Sequence, residues 1–195
     1  MTDKLEQLTH FFYELGTLRK VARSHRQTFL TDDLSDNISS HSYRVTMIGW
    51  FLAKLEKGDP YKVVMMCLFH DTSEARTGDQ NWVHKKYIKA FEDEAVKDQL
   101  SNIPASSELL TITSEYEKRE SKEAMLAKDA DLLDQLLLLK EYSWQGNQEA
   151  AQWLKDNEQV KRLYCKSAKQ IANEILSQRP SNWWSHSGWS ADRRK

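Results

Sequence analysis

His70, Asp71 and Glu74 close a segment that begins with seven consecutive apolar residues, Val63-Val64-Met65-Met66-Cys67-Leu68-Phe69. A run that dense reads as a helix covered on both sides. It ends in three groups that are costly to bury without a partner. A metal ion is the simplest partner for an adjacent imidazole and carboxylate. Two more residues join this set. His41 falls in the first turn of another helix with an apolar face, and Asp131 lies in the strongly apolar stretch from Leu126 to Leu139. Two imidazoles and two carboxylates suit a divalent transition metal with positions left for water and substrate. Asp129 and Asp134 share that stretch and compete with Asp131. Adjacent residues on a helix diverge by about 100°, so His70 and Asp71 reach one ion only at a helix end. Glu74 follows His70 by four residues, on the same face, where it can hold or deprotonate a water.

Side chains so far apart in sequence converge only in a folded helical bundle. Helical periodicity covers most of the chain and strand-like alternation is nearly absent, so the expected class is all-α. A first helix is expected from about Leu5 to Val21, with Leu5, Leu8, Phe11, Phe12, Leu15 and Leu18 as its apolar positions. A basic group follows, Arg19, Lys20, Arg23, His25 and Arg26, equally readable as a solvated helix end or a phosphate contact. The polar loop from Thr31 to Ser40 offers Ser39 or Ser40 as a helix cap. The next helix runs from His41 to about Lys57 on a stripe of Val45, Ile48, Phe51, Leu52 and Leu55. Gly58-Asp59-Pro60 breaks it. The helix from Tyr61 is expected to end near Ala75, before a turn at Arg76 to Asp79.

Trp82 to Lys97 reads as an amphipathic segment with Trp82, Tyr87, Ile88, Phe91 and Val96 available for burial. A long helical pattern from Ser106 to Tyr142 has a joint expected near Arg119 or Ser121, and a last helix spans about Glu149 to Leu176. The tail from Pro180 carries Trp183, Trp184 and Trp189, more in keeping with packing or a dimer contact than with catalysis. Residues 1–179 therefore form one helical domain and 180–195 a tail that packs on it or on a dimer partner.

The totals narrow the function. The 195 residues suit one core, and a formal net charge of -1 implies no excess of basic surface for a nucleic acid polymer. Two cysteines, Cys67 and Cys165, fit a reducing cytoplasm rather than a disulfide framework. The start lacks the order of a signal peptide, and the longest apolar run is far too short to span a membrane.

The set His41, His70-Asp71 and Asp131 resembles the signature of the HD-domain metal-dependent phosphohydrolases, closest to the 5'-deoxynucleotidase branch of the YfbR/HDDC2 type. Asn37-Ile38-Ser39-Ser40-His41-Ser42 is similar to the stretch that carries the first His of that branch. His70-Asp71-Thr72-Ser73-Glu74 leads into Thr77-Gly78-Asp79, and Lys128-Asp129-Ala130-Asp131-Leu132-Leu133 matches the context of the last ligand. The resemblance favours Asp131 over its neighbours. It implies a mostly helical HD domain, often dimeric, binding one divalent metal ion (Mn, Co, Fe, Zn or Ni). The implied reaction removes the 5'-phosphate from a (deoxy)nucleoside monophosphate by attack of a metal-activated water. Asp71 serves as ligand and in catalysis, and Glu74 handles the water. Arg23, in Leu18-Arg19-Lys20-Val21-Ala22-Arg23, is implied for the phosphate. Asp79 is implied for the sugar, with Thr77 beside it at the substrate.

Two departures stand out: Ser24 and His25 replace the aromatic residue that usually follows the arginine, and the loop from Arg23 to His41 is long. Among rivals, alarmone hydrolysis needs a second acid where Ala75 stands. A multinuclear phosphodiesterase needs more His than His84, which reads as solvated. An HD phosphohydrolase for another phosphate ester, and a non-catalytic nucleotide-binding protein on the same fold, remain as alternatives.

Overall fold

The computed structural model describes residues 2–185, and among them the chain is all-α. α1 (Thr2–Leu15) ends at Gly16, and a 3-10 turn (Leu18–Lys20) leads to the short α2 (Arg26–Phe29). α3 (Ile38–Glu56) and α4 (Pro60–Phe69) follow, then α5 (Glu74–Thr77), α6 (Trp82–Tyr87), α7 (Glu92–Leu100) and α8 (Ser106–Lys118). α9 (Lys122–Trp144) is the longest element. α10 (Gln148–Asp156), α11 (Glu158–Lys161), α12 (Lys166–Ser177) and α13 (Asn182–Ser185) complete the chain.

α3, α4 and α9 pack on one another to form the centre. Val45, Leu52, Val63, Met66, Cys67, Ala127, Ala130 and Leu133 meet there, all fully buried. The approach of α3 to α4 depends on Gly49: a Cβ there would sit 2.6 Å from Cys67 Sγ, far inside van der Waals contact. Two caps fix where the site-bearing helices begin. Asn37, not Ser39 or Ser40, accepts the Ser40 N–H and starts α3, which places His41 in its first turn. Asp59 accepts the N–H groups of Tyr61 and Lys62 at the start of α4, with Pro60 in the first turn.

The joint expected near Arg119 is present, with Arg119 left-handed between α8 and α9. Other expectations need correction. The first helix stops at Leu15, and its Leu5 and Phe12 are 58% and 60% exposed. α4 ends at Phe69 rather than Ala75, and it is not covered all round, since Leu68 is exposed. Phe51 and Leu55 face solvent, and the buried face of α3 is Val45, Gly49, Leu52 and Ala53. Trp82, Tyr87, Ile88 and Phe91 are exposed, and their segment breaks into α6 and α7. The last expected helix is three, parted by left-handed Asn157 and by residues 162–165. In the tail, Trp183 is 77% exposed and Trp184 47%; Trp189 lies outside the described residues.

Candidate metal centre and substrate cavity

His70 caps the C-terminus of α4, and the chain turns through residues 70–73 before α5. That turn resolves the geometric problem of adjacent ligands, because His70 and Asp71 no longer sit on one continuous helix. Their donor atoms approach to 3.1 Å, Nε2 to Oδ2. His41 Nε2 comes from α3 to 3.2 Å from His70 Nε2 and 3.4 Å from Asp71 Oδ2. Asp131, on α9, places Oδ1 at 3.4 Å from His41 Nε2. Neighbouring ligands on an ion with bonds of about 2.1 Å stand roughly 3.0–3.4 Å apart. His41, His70 and Asp71 form the tight group capable of holding a metal ion. Asp131 stands at its edge, its second oxygen bound by Lys128 Nζ at 2.5 Å.

The surroundings fix these donors. His41 Nδ1 meets Asp134 Oδ2 at 2.6 Å, and His70 Nδ1 donates to the Cys67 carbonyl at 2.9 Å. Each imidazole is thereby left with Nε2 aimed at the shared point, the orientation that metal-ligating histidines receive from an outer partner. Asp134 is itself held by Arg44 Nε, and Arg44 reaches on to Glu141 at 2.7 Å. The donor types, spacing and outer bonds fit a divalent metal.

Burial sets the charges. Burial and Arg23 disfavour the His41 imidazolium, but Asp134 and Asp71 outweigh them and hold its pKa up at about 9. Burial also opposes ionisation of Asp71, yet His70 and His41 keep it well below the ordinary carboxylate range. Burial, reinforced by the Asp71 and Asp79 carboxylates, pushes Glu74 up to about 10. Glu74 Oε2 is buried with no hydrogen-bond partner.

Arg23 faces the same space with its side chain 12% exposed. Its Nη1 lies 3.7 Å from Asp71 and its Nε 3.6 Å from Asp79, too far for hydrogen bonds, so both nitrogens stay unpaired. Burial works against its charge, and Asp71 and Asp79 overcome that. The backbone around it is firmly tied: Arg23 N–H donates to the Asp36 carbonyl, Ile38 N–H to Val21, and Ala22 pairs with Asn37 in an antiparallel bridge. Ser24 N–H donates to Asp79 Oδ2 at 2.7 Å, and Asn81 Nδ2 to the Ser24 carbonyl at 3.3 Å. His25 is buried, held by Asp36 at 2.7 Å. Of the basic group, only Arg19 and Lys20 are exposed.

Arg23, Asp71, Glu74, Asp79, Lys85 and Asp131 line one cavity of about 560 Å³. Thr77 does not line it; its hydroxyl lies 3.2 Å from the Ser73 carbonyl. His84 is half-buried with Nδ1 unpartnered, not solvated as expected. The residue missed from sequence is Asp134. Its signal was a carboxylate set among Leu132, Leu133 and Leu136, three residues beyond Asp131 on the same helix. Asp129, the other competitor, is fully buried and accepts the N–H groups of Tyr164 and Cys165, both at 2.8 Å.

A family model for the HD domain matches residues 15–175. The chain belongs to the HD domain family. The 5'-deoxynucleotidase HDDC2 of Dictyostelium discoideum is 30% identical over 129 residues, covering 60% of this chain and 67% of that protein. A 5'-deoxynucleotidase of Photobacterium profundum is 29% identical over 161 residues, covering 74% and 80%. A solved structure from Pyrococcus horikoshii superposes with a TM-score of 0.71 at 26% identity, covering 86% of this chain and 97% of that one. A conserved hypothetical protein from Pyrococcus furiosus gives 0.75 at 24%, covering 87% and 99%. The matched HD domain contains all four residues of the His41, His70, Asp71 and Asp131 set, together with Arg23, Glu74 and Asp79.

Proposed function

We propose that this HD-domain chain is a metal-dependent phosphomonoesterase that removes the 5'-phosphate from (deoxy)nucleoside monophosphates. Family membership and relatives named as 5'-deoxynucleotidases support a hydrolase acting on nucleotides. The observation that carries the reading is a buried arginine with free N–H groups, set beside convergent metal donors. A solvated surface would not leave Arg23 unpaired; a phosphoryl group supplies the acceptors it lacks.

His41, His70, Asp71 and Asp131 are the proposed ligands. A divalent ion held by them supplies Lewis acidity and favours ionisation of water. Mn, Co, Fe, Zn and Ni all suit this donor set. Arg23 binds the phosphate. Asp79 steadies the Arg23 segment through the Ser24 N–H, its charge favours the guanidinium from 3.6 Å, and its carboxylate faces the sugar. Glu74, with a buried free oxygen, would orient the attacking water, and a cation bound beside it would favour the ionised form that takes the water's proton. Thr77 shapes the turn that presents Asp79, where positive φ at Gly78 (70°) allows the chain to reverse.

Residues 1–179 act as the catalytic domain and 180–195 as a tail. The exposed row Tyr43, Met47, Trp50, Phe51 and Leu55 on α3 supports the expected homodimer. No helix among the described residues is long and apolar enough to cross a membrane, and both cysteines are free, in keeping with the expected cytoplasm.

The test is phosphate release from nucleoside and deoxynucleoside mono-, di- and triphosphates, with a non-nucleotide ester set, after chelation and reloading with each metal. Release from monophosphates only after reloading is expected. Equal release after chelation, or none from any nucleotide, would overturn the reading.

A further inference from the structure

Asp71, Asp131, Arg23 and Glu74 occupy one end of the 560 Å³ cavity, and the proposed reaction leaves its other end unused. Trp82, Trp153 and Gln159 line that end. Trp153 stands edge-on to Phe29, ring centres 5.1 Å apart and planes at 85°, and Phe29 is 2% exposed, so the indole is braced from behind. Trp82 meets Trp153 edge-on at 5.6 Å and 89°, forming an aromatic corner. Trp82 is 62% exposed, which leaves ring surface uncovered. Gln159 is 8% exposed and lines the same cavity.

Gln135 also lines the cavity, one helical turn beyond Asp131 on α9. That offset is about 6 Å along the helix axis, so the cavity floor runs on past the metal donors. The corner is tied to the phosphate end as well. Asn81 caps α6, which carries Trp82, while its side-chain amide holds the Ser24 carbonyl next to Arg23. His25, which stands close after Arg23, lines the cavity as well, but it is only 6% exposed and its Nε2 is held by Asp36.

We infer that Trp82, Trp153 and Gln159 form the wall that binds the nucleobase. This rests on the nucleotide-phosphatase reading above and assigns what recognises the part of the substrate that does not react. The indoles give a flat heteroaromatic ring a surface to stack against. The Gln159 amide supplies one donor and one acceptor direction to the ring edge.

The test compares kcat/KM for deoxynucleoside 5'-monophosphates with that for 2-deoxyribose 5-phosphate, which keeps phosphate and sugar but lacks the base. Metal-loaded wild-type protein is expected to favour the nucleotides at least tenfold. Trp153→Ala and Gln159→Leu are each expected to shrink that ratio about tenfold, mainly through KM of the nucleotides. Trp82→Ala, at an exposed position, gives the same reading if Trp153→Ala fails to fold. A wild-type protein without preference, or variants that lower both substrates equally, would overturn the base wall while leaving the phosphatase intact. No phosphate release from either substrate would overturn the phosphatase reading itself, and the wall with it.

Discussion

The two histidines of the candidate metal centre and the Arg23 and Glu74 side chains beside them are comparably buried, but they are satisfied in opposite ways. Each imidazole has its Nδ1 engaged by the protein, by Asp134 or by the Cys67 carbonyl, leaving Nε2 for the shared point. Arg23 and Glu74, on the same cavity, keep buried polar atoms with no hydrogen-bond partner, Arg23 having only the longer ion pairs to Asp71 and Asp79. A fold that can hold four donors in register could also have paired Arg23 directly with Asp71 or Asp79. It stops at 3.7 and 3.6 Å instead. The chain completes its own support for a cation and leaves open the groups that would meet an anion and a water.

The largest effect that would break this contrast is loss of a donor. His70→Ala is expected to abolish metal occupancy and lower phosphate release by more than about 1000-fold, with helical content retained. Metal analysis and circular dichroism on the purified variant check both, and full occupancy would remove His70 from the centre. Glu74→Gln addresses the open side. The metal is expected to stay while kcat falls about 100- to 10,000-fold; unchanged turnover would remove Glu74 from the reaction.

Asp134→Asn sharpens the satisfied side. It keeps the shape and removes the charge that orients His41, so metal affinity is expected to weaken about 10- to 100-fold. An affinity equal to wild type would make Asp134 a packing residue only. The smallest effect is on pH. His41 is held at about 9, so it carries a proton at neutral pH that a metal must displace. Apparent affinity is therefore expected to rise by up to about tenfold per pH unit and to flatten above about 9. In Asp134→Asn the plateau is expected at lower pH, because a carboxylate favouring the imidazolium is gone. A flat profile in metal titrations of the wild type would contradict this.

The three aspartates of α9 measure how much the sequence could tell. Helical class, the α8–α9 joint and the convergence of His41, His70 and Asp71 follow from periodicity and residue type. Asp129, Asp131 and Asp134 are alike in composition; the family resemblance singles out Asp131, and only the fold assigns the tasks of the other two. Asp129 ties α9 to the start of α12, Asp131 faces the metal donors, and Asp134 turns His41. The missed helix breaks have a similar cause. Asn157 takes a left-handed conformation with φ of 56°, which asparagine tolerates better than most residues. No proline or glycine marks that break in the sequence. Trp82 carries an apolar signal that suggested burial, yet it lines a cavity with Trp153, and periodicity alone does not separate a core face from a cavity wall.

The most direct measurement is titration of the chelated protein with Co²⁺, followed through the visible absorption of the ion. The proposed centre predicts saturation at one ion per chain in wild type, and loss of that signal in His41→Ala and Asp131→Ala. An identical titration in those variants, or no saturable binding in wild type, would contradict a metal centre built from His41, His70, Asp71 and Asp131.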